Sequence, residues 1–471
     1  MAENGSVSAY DVFIKNSRFD LIYKILYVLS KKKPSGVQEF YRKIYIEHIR
    51  AFNNFYECEP LKNSPEAFVD SFDQLVESIE KNGYDKTPIP IRENGNLANA
   101  AHRLACCVAM DIDVTTEIVD YQHDFNWLFF EKQGISKSVA DFGALNYVEL
   151  NKNAYIVNIF PVMPKKYDKK IESILEQYGF IYYRKELKLG INACINLKKI
   201  NYGKEQWIGN YQNKFAGLRD HAEKSMGHNQ NPLRVYVFVC DNIEKIIEAK
   251  KEIRSILNIG NFSIHINDFR EEAIELAQVY FNENSFFLLN ARHYLYINEK
   301  NDKFIDEFKN YVNQNDYDIN EFCAGGSAPL GIFGIRENRD FDFLHIPNKI
   351  NGTDIVSSHE SYLKNYPRTK TDIILNPENH FYFKGIKFVS LETLKQMKQK
   401  RNEFPKDNID VLRINLFLSR KHSIFHVIVS AFTLAQNWVK HCFGKIKNFF
   451  ARCLMFVVRC LRFAKRKILK R

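Results

Sequence analysis

Between Cys323 and Ile346 the chain reads CAGGSAPLGIFGIRENRDFDFLHI, a stretch that no single helix or strand can hold. Gly325 and Gly326 tolerate backbone angles that other residues avoid, so an apolar run is free to turn there and a ligand to come close. Ser327 is expected to cap a following helix, with its hydroxyl and the nearby N–H groups facing a phosphate, because helix starts attract anions. Downstream, RDFDF alternates with period two, which predicts a strand with Asp340 and Asp342 on one face and Phe341 and Phe343 on the other. Two carboxylates about 7 Å apart along a strand can hold hard divalent cations such as Mg²⁺ or Mn²⁺. A metal pair can then bind a triphosphate and stabilise an in-line displacement. The plainer reading of the same residues is a glycine turn before an edge strand whose aspartates face solvent.

The charge of this 471-residue chain is unevenly placed. Formal net charge is +11, yet residues 411–471 carry 14 Lys or Arg and no Asp or Glu. The first 410 residues therefore hold 53 basic against 56 acidic side chains. The body is not basic, so the partner implied by charge is an anionic surface met by the tail rather than a nucleic acid gripped by the core. Nine cysteines without a Cys-x-x-Cys pair suit neither a disulfide framework nor a zinc site, and point to a reducing cytosol. No basic-then-apolar leader opens the sequence. The longest apolar stretch, Ile424 to Ala435, is short for a bilayer span and carries His426, Ser430 and Thr433.

Length argues for two or three domains. We expect an α+β / α/β multidomain protein with four parts: a helical 1–150 segment, an α/β 151–290 domain of unassigned role, a mixed-sheet 291–415 domain and a 416–471 tail. In the first part FDLIYKILYVLSKK and VQEFYRKIYIEHIRAFNNFYE carry helical apolar spacing. TPIPIRENGNLANAAHRLACCVAM predicts a strand, a turn at Asn94-Gly95 and a helix from about Asn99, followed by a strand of alternating Val, Thr and Ile. In the middle part AYIVNIFPV and LRVYVFVC are buried-strand runs, and NIEKIIEAKKEIRSILNI is an amphipathic helix. FSIHINDFREE predicts a strand, an Asn267-Asp268 N-cap and a helix with acidic residues in its first turn. His265 and Asp268 lie at the end of that strand, where ligand sites tend to form, although a structural histidine is the commoner outcome.

Gly-Gly-Ser, then about ten residues, then Asp-x-Asp resembles the nucleotidyltransferase superfamily with the polymerase-β-like fold. The resemblance implies that Gly325, Gly326 and Ser327 hold phosphates, with Arg336 or Arg339 as further contacts, and that Asp340 and Asp342 hold metal. It also implies a third metal carboxylate on a neighbouring strand, for which Asp372 in TKTDIILNP is the first choice and Asp354 in NGTDIVSS the second. The arrangement is also similar to the phosphosugar-transferring LicD and fukutin-like branch, without that branch's run of aspartates. Lys398, Arg401 and Lys406 fall on or beside a later helix, as family members often have; a solvated basic face explains them equally.

PIPIRENGNLANAAHRLACCVAM resembles the phosphate-binding box of the ParB/sulfiredoxin-like fold, which implies phosphate held at a helix start by Arg103 with His102 beside it. Where that box has Asp-Gly ahead of the histidine, this chain has Asn99-Ala100. Cys106 and Cys107 fall inside the helix and read as core packing.

In the tail, Lys445, Arg452, Arg459 and Arg466 recur every seven residues, with Arg462 on the same side and an apolar face opposite. Such a helix lies well in a membrane interface, each basic residue adding about 1 kcal/mol near an anionic leaflet. The expectation is a cytoplasmic, Mg²⁺-dependent enzyme, peripheral on the inner membrane face. It would use a nucleotide or nucleotide-activated donor and a sugar or lipid-linked acceptor, as in surface-glycan assembly. Two other readings stand beside it: a ParB-like DNA-associated regulator or nuclease, and a nucleotide-binding scaffold without chemistry.

Overall fold

The computed structural model describes residues 6–210, 212–228, 231–296, 299–347 and 350–419. The chain divides into two compact units, Met1–Glu360 with Arg368–Ser390, and Ser361–Pro367 with Leu391–Arg471. It is a mixed helix-and-strand protein with several small sheets. The tail residues Lys445, Arg452, Arg459, Arg462 and Arg466 lie outside the described residues. No helix among the described residues is long and apolar enough to cross a membrane.

The first unit opens with a short strand β1 (Val7–Ser8) and helices α1 (Ala9–Ile14), α2 (Leu21–Ser30), α3 (Ser35–Asn53) and α4 (Pro65–Asn82). Helix α2 is buried on all sides rather than on one stripe, and it takes Lys24 inside with it. The charge is tolerated because Asp20, itself fully buried, pairs with Lys24 and lies 2.8 Å from Arg18 Nε. Burial alone would raise the Asp20 carboxyl; Arg18 and Lys24 outweigh it and hold the group far below the usual carboxylate range. Strand β2 (Ile89–Ile91), helix α5 (Ala101–Ala109), strand β3 (Asp113–Val114) and strand β4 (Thr116–Ile118) follow, with β2 and β4 parallel and β1 and β3 antiparallel. The strand, Gly95 turn, helix and strand stand where their sequence signals predict. Cys106 and Cys107 are fully buried in α5, as packing residues.

After α6 (Trp127–Lys132) and α7 (Lys137–Leu150) comes a four-stranded sheet ordered β6-β7-β5-β8. Its strands are β5 (Ala154–Ile159), β6 (Phe180–Leu187), β7 (Leu233–Val239) and β8 (Ile264–Ile266). The long apolar runs are buried strands, as expected, and every pairing between them is antiparallel. A strand covered on both faces needs apolar residues throughout whatever its direction, so the runs report coverage and not polarity. One face meets α8 (Asp168–Tyr178) and α11 (Ile243–Ser255) in a core of Val157, Ile159, Tyr236, Phe238, Ile171 and Ile246. The other is covered by α9 (Ile191–Tyr202), where Tyr202 packs on His265, and by α12 (Arg270–Tyr280), which packs on β5; α10 (Ala216–Met226) lies against α9. The expected Asn267-Asp268 cap is not used: Phe269 is the N-cap of α12. The buried Asn267 side chain instead accepts the Ile156 N–H of β5 at 2.6 Å.

Helices α13 (Glu283–Ala291) and α14 (Glu299–Gln314) lead to a five-stranded mixed sheet ordered β11-β10-β9-β13-β12. Its strands are β9 (Phe322–Ala324), β10 (Phe341–His345), β11 (Val356–Ser358), β12 (His380–Phe383) and β13 (Ile386–Val389). Strand β10 runs antiparallel to β9 and parallel to β11, while β13 runs parallel to β9. Helix α15 (Ala328–Ile332) follows β9 and helix α16 (Lys370–Leu375) precedes β12.

The second unit contains α17 (Leu391–Arg401) and α18 (Lys406–Leu418). Lys398 and Arg401 do not sit on a solvated face. Lys398 is 1% exposed and pairs with Asp410 at 2.9 Å, while Arg401 pairs with Asp407 at 2.7 Å.

Candidate functional site

The site grows from the turn that leaves β9. The Gly325 N–H donates to the Asp342 carbonyl at 2.8 Å, and the chain reverses through Gly326 at φ +55°. A Cβ on Gly326 would fall inside the van der Waals radius of the Asp342 carboxylate, so close approach as well as backbone angle demands glycine. Ser327 departs from expectation. It stands at the N-cap of α15 but makes no side-chain cap. Its hydroxyl donates instead to Asp340 Oδ1 at 3.2 Å. Pro329 at the second helical position has no N–H to offer, and the Leu330 N–H is taken by the Ser327 carbonyl. A carboxylate is therefore the strongest partner within reach of the hydroxyl.

Strand β10 sorts its side chains as the alternation predicts. Phe341 and Phe343 are buried, with Phe341 stacked on Phe308 of α14 at 4.6 Å between centroids. Asp342 is half-buried and Asp340, just before the strand, is exposed. Ser357, opposite Asp342 on β11, donates to Asp342 Oδ1 at 3.0 Å. Nothing in the sequence singled out Ser357, because a Val-Ser-Ser strand acquires its role only from the register of β10 against β11.

The third carboxylate is a correction. Asp372 does not lie on a strand; it is in the first turn of α16. Thr369-Lys-Thr-Asp372 is a capping sequence, and the Thr369 hydroxyl accepts the Asp372 N–H at 3.1 Å. The Asp372 carboxylate is engaged locally, accepting from Asn376 at 3.2 Å and Asn379 at 2.9 Å. Asp354 lies on an exposed loop ahead of β11. Among the described residues no group of three or more His, Cys, Asp or Glu could hold a metal ion. Arg336 donates to the Glu337 carbonyl at 2.9 Å, and Arg339 is exposed.

The α5 start forms a second locality. Ala100 sits at φ +63°, the left-handed region that glycine favours. His102 Nε2 lies 3.0 Å from the Tyr45 hydroxyl and its ring meets Phe72 edge-on. Burial, then the nearby Lys24 and His48, push His102 well below its ordinary pKa, so it is a neutral packing group rather than a phosphate cation. Arg103 donates to the Thr87 carbonyl at 3.3 Å. A cavity of about 330 Å³ opens here, with Arg18, Lys24, Asn99, His102 and Arg103 in its wall. In the middle part His265 is buried and bonds Glu272 at 2.6 Å, the structural outcome.

Comparison with protein-family models, with curated proteins and with solved structures finds no match for this chain.

Proposed function

We propose that the chain is a metal-dependent transferase of the nucleotidyltransferase kind, moving a nucleotidyl or phosphoryl-alcohol group at the Gly325–Ser327 turn and the Asp340/Asp342 pair. One observation carries the reading: the glycine-serine turn and both aspartates meet where β9 ends and β10 begins, with Gly326 against the Asp342 carboxylate and Ser327 bonded to Asp340. The donor set suits Mg²⁺, which is commonly held by one or two protein carboxylates while substrate phosphates and water complete its octahedron. Asp340 and Asp342 would hold the ion, which when bound neutralises phosphate charge and favours in-line displacement. Ser327 and Ser357 fix the two carboxylates by donating to them. The absent Cβ of Gly326 keeps the turn close to the Asp342 carboxylate. A sugar or lipid-linked acceptor, and attachment to the inner membrane face through residues 416–471, belong to the same proposal.

The test is a panel of nucleoside triphosphates and nucleotide-activated sugars and alcohols, with and without Mg²⁺. Ligand at a hundred times its Kd adds about 2.7 kcal/mol to the unfolding free energy. We expect Mg²⁺-dependent stabilisation and product, both lost in Asp340→Asn with an unchanged circular-dichroism spectrum. Turnover retained in that variant would sink the assignment. The cavity beside Arg103 favours a second reading, in which the ParB-like segment acts on DNA. That reading requires salt-sensitive duplex binding by protein without the tail.

A further inference from the structure

The sheet that carries the aspartate pair is poor in acid. Among its five strands the one carboxylate is Asp342, with Asp340 just ahead of β10. Register fixes what stands beside Asp342. On β11 its partner is Ser357, and on β9 the pairing of Phe343 with Ala324 brings Gly325 opposite it. One strand further, Phe388 pairs with Ala324, so Val389 continues the row. The row through Asp342 therefore reads Ser357, Asp342, Gly325, Val389. A hydroxyl, a bare backbone and a buried apolar side chain occupy the positions from which a neighbouring strand could add a carboxylate. Asp372 is engaged by Asn376 and Asn379, and Asp354 lies on an exposed loop.

Charge and geometry then bear on how many ions the pair can hold. Two carboxylates neutralise one divalent cation; a second ion about 3.5–4 Å from the first would meet strong repulsion with no further protein anion among the described residues to offset it. The carboxylate oxygens are also partly committed. Ser357 donates to Asp342 Oδ1 at 3.0 Å, and the Gly326 turn packs against Oδ2 of the same group. Ser327 donates to Asp340 Oδ1 at 3.2 Å. Carboxylates fixed in this way suit one ion held between them rather than a bridge shared by two.

We infer that this site takes a single divalent cation, not a pair, and that Ser357 sets the number by standing where the second ion's carboxylate would be. The inference rests on the transferase reading and refines it: substrate phosphates and water, rather than a second ion, complete the coordination shell.

The experiment is low-temperature electron paramagnetic resonance of the full chain with Mn²⁺, alone and with inorganic tripolyphosphate, the phosphate chain common to nucleoside triphosphates. An isolated Mn²⁺ gives a hyperfine sextet, whereas two ions about 3.5–4 Å apart give a spin-coupled spectrum. Bound Mn²⁺ is counted against the Asp340→Asn, Asp342→Asn double variant, which subtracts binding elsewhere on the surface. The wild type should hold one Mn²⁺ more than the double variant, uncoupled, in both conditions. Ser357→Asp should hold two more, with a coupled spectrum. A coupled pair in the wild type would overturn the single-ion inference and leave the transferase reading standing. No difference between the wild type and the double variant would overturn both. Ser357→Asp with an unchanged circular-dichroism spectrum and one uncoupled ion would overturn the role given to Ser357. The wild-type spectrum decides the ion number whether or not that variant folds.

Discussion

Lys198 supplies the sharpest test of how this structure balances its energies. The side chain is fully buried in α9, its ammonium 3.2 Å from the centroid of the Phe160 ring, and Nζ has no hydrogen-bond partner. Burial pushes the amine from its ordinary 10.5 down to about 7, against a small pull from Cys194 and with Arg254 adding to the fall. The native pKa lies below the unfolded one, so the native state binds fewer protons and folding carries a cost wherever the unfolded amine is charged. That cost is absent above about pH 10.5, grows as pH falls toward 7 and is constant below. A displacement from 10.5 to about 7 corresponds to about 5 kcal/mol at neutral pH. Lys198→Met keeps the length and apolar stem without the amine, so it should stabilise the first unit by about 3–5 kcal/mol at pH 7. The advantage should shrink as pH rises toward 10. Denaturant unfolding of both proteins at half-unit intervals from pH 7 to 10 reads this directly. A difference that stays constant with pH, or a methionine variant less stable at pH 7, would refute the account of Lys198 as an amine whose pKa burial has lowered.

Two substitutions probe the glycine logic from opposite sides. Ala100→Gly relieves a left-handed backbone at the start of α5 and should stabilise the protein by about 1 kcal/mol, seen as a raised thermal midpoint; a lowered midpoint would show that the Ala100 methyl packs better than its backbone strains. Gly326→Ala meets both a positive φ and the Asp342 carboxylate, so it should destabilise by at least about 1 kcal/mol and abolish Mg²⁺-dependent stabilisation by nucleotides. An alanine variant with the wild-type nucleotide response would separate the turn from the proposed site.

Much of the local structure was legible because it depends on neighbours in the chain. The Gly95 turn, α5, β5, β7 and the division of β10 into a phenylalanine face and an aspartate face all follow from periodicity and turn chemistry. The aspartate beyond them was not legible. Asp372 lies in an apolar stretch that suits a strand, while Thr369 three residues earlier starts a helix, and the local cap won. Ser327 shows the converse: its sequence position is that of a cap, but a carboxylate from another strand takes its hydroxyl.

Sequence alone therefore determined where the chain turns, which faces are apolar and how its charge is segregated. Only the tertiary structure decided strand direction in the middle sheet, the alignment of Ser357 with Asp342 and the burial of Lys198. The physical reason is common to all three. Periodicity and capping are set within a few residues, whereas hydrogen-bond partners, desolvation and counter-charges come from segments tens to hundreds of residues away.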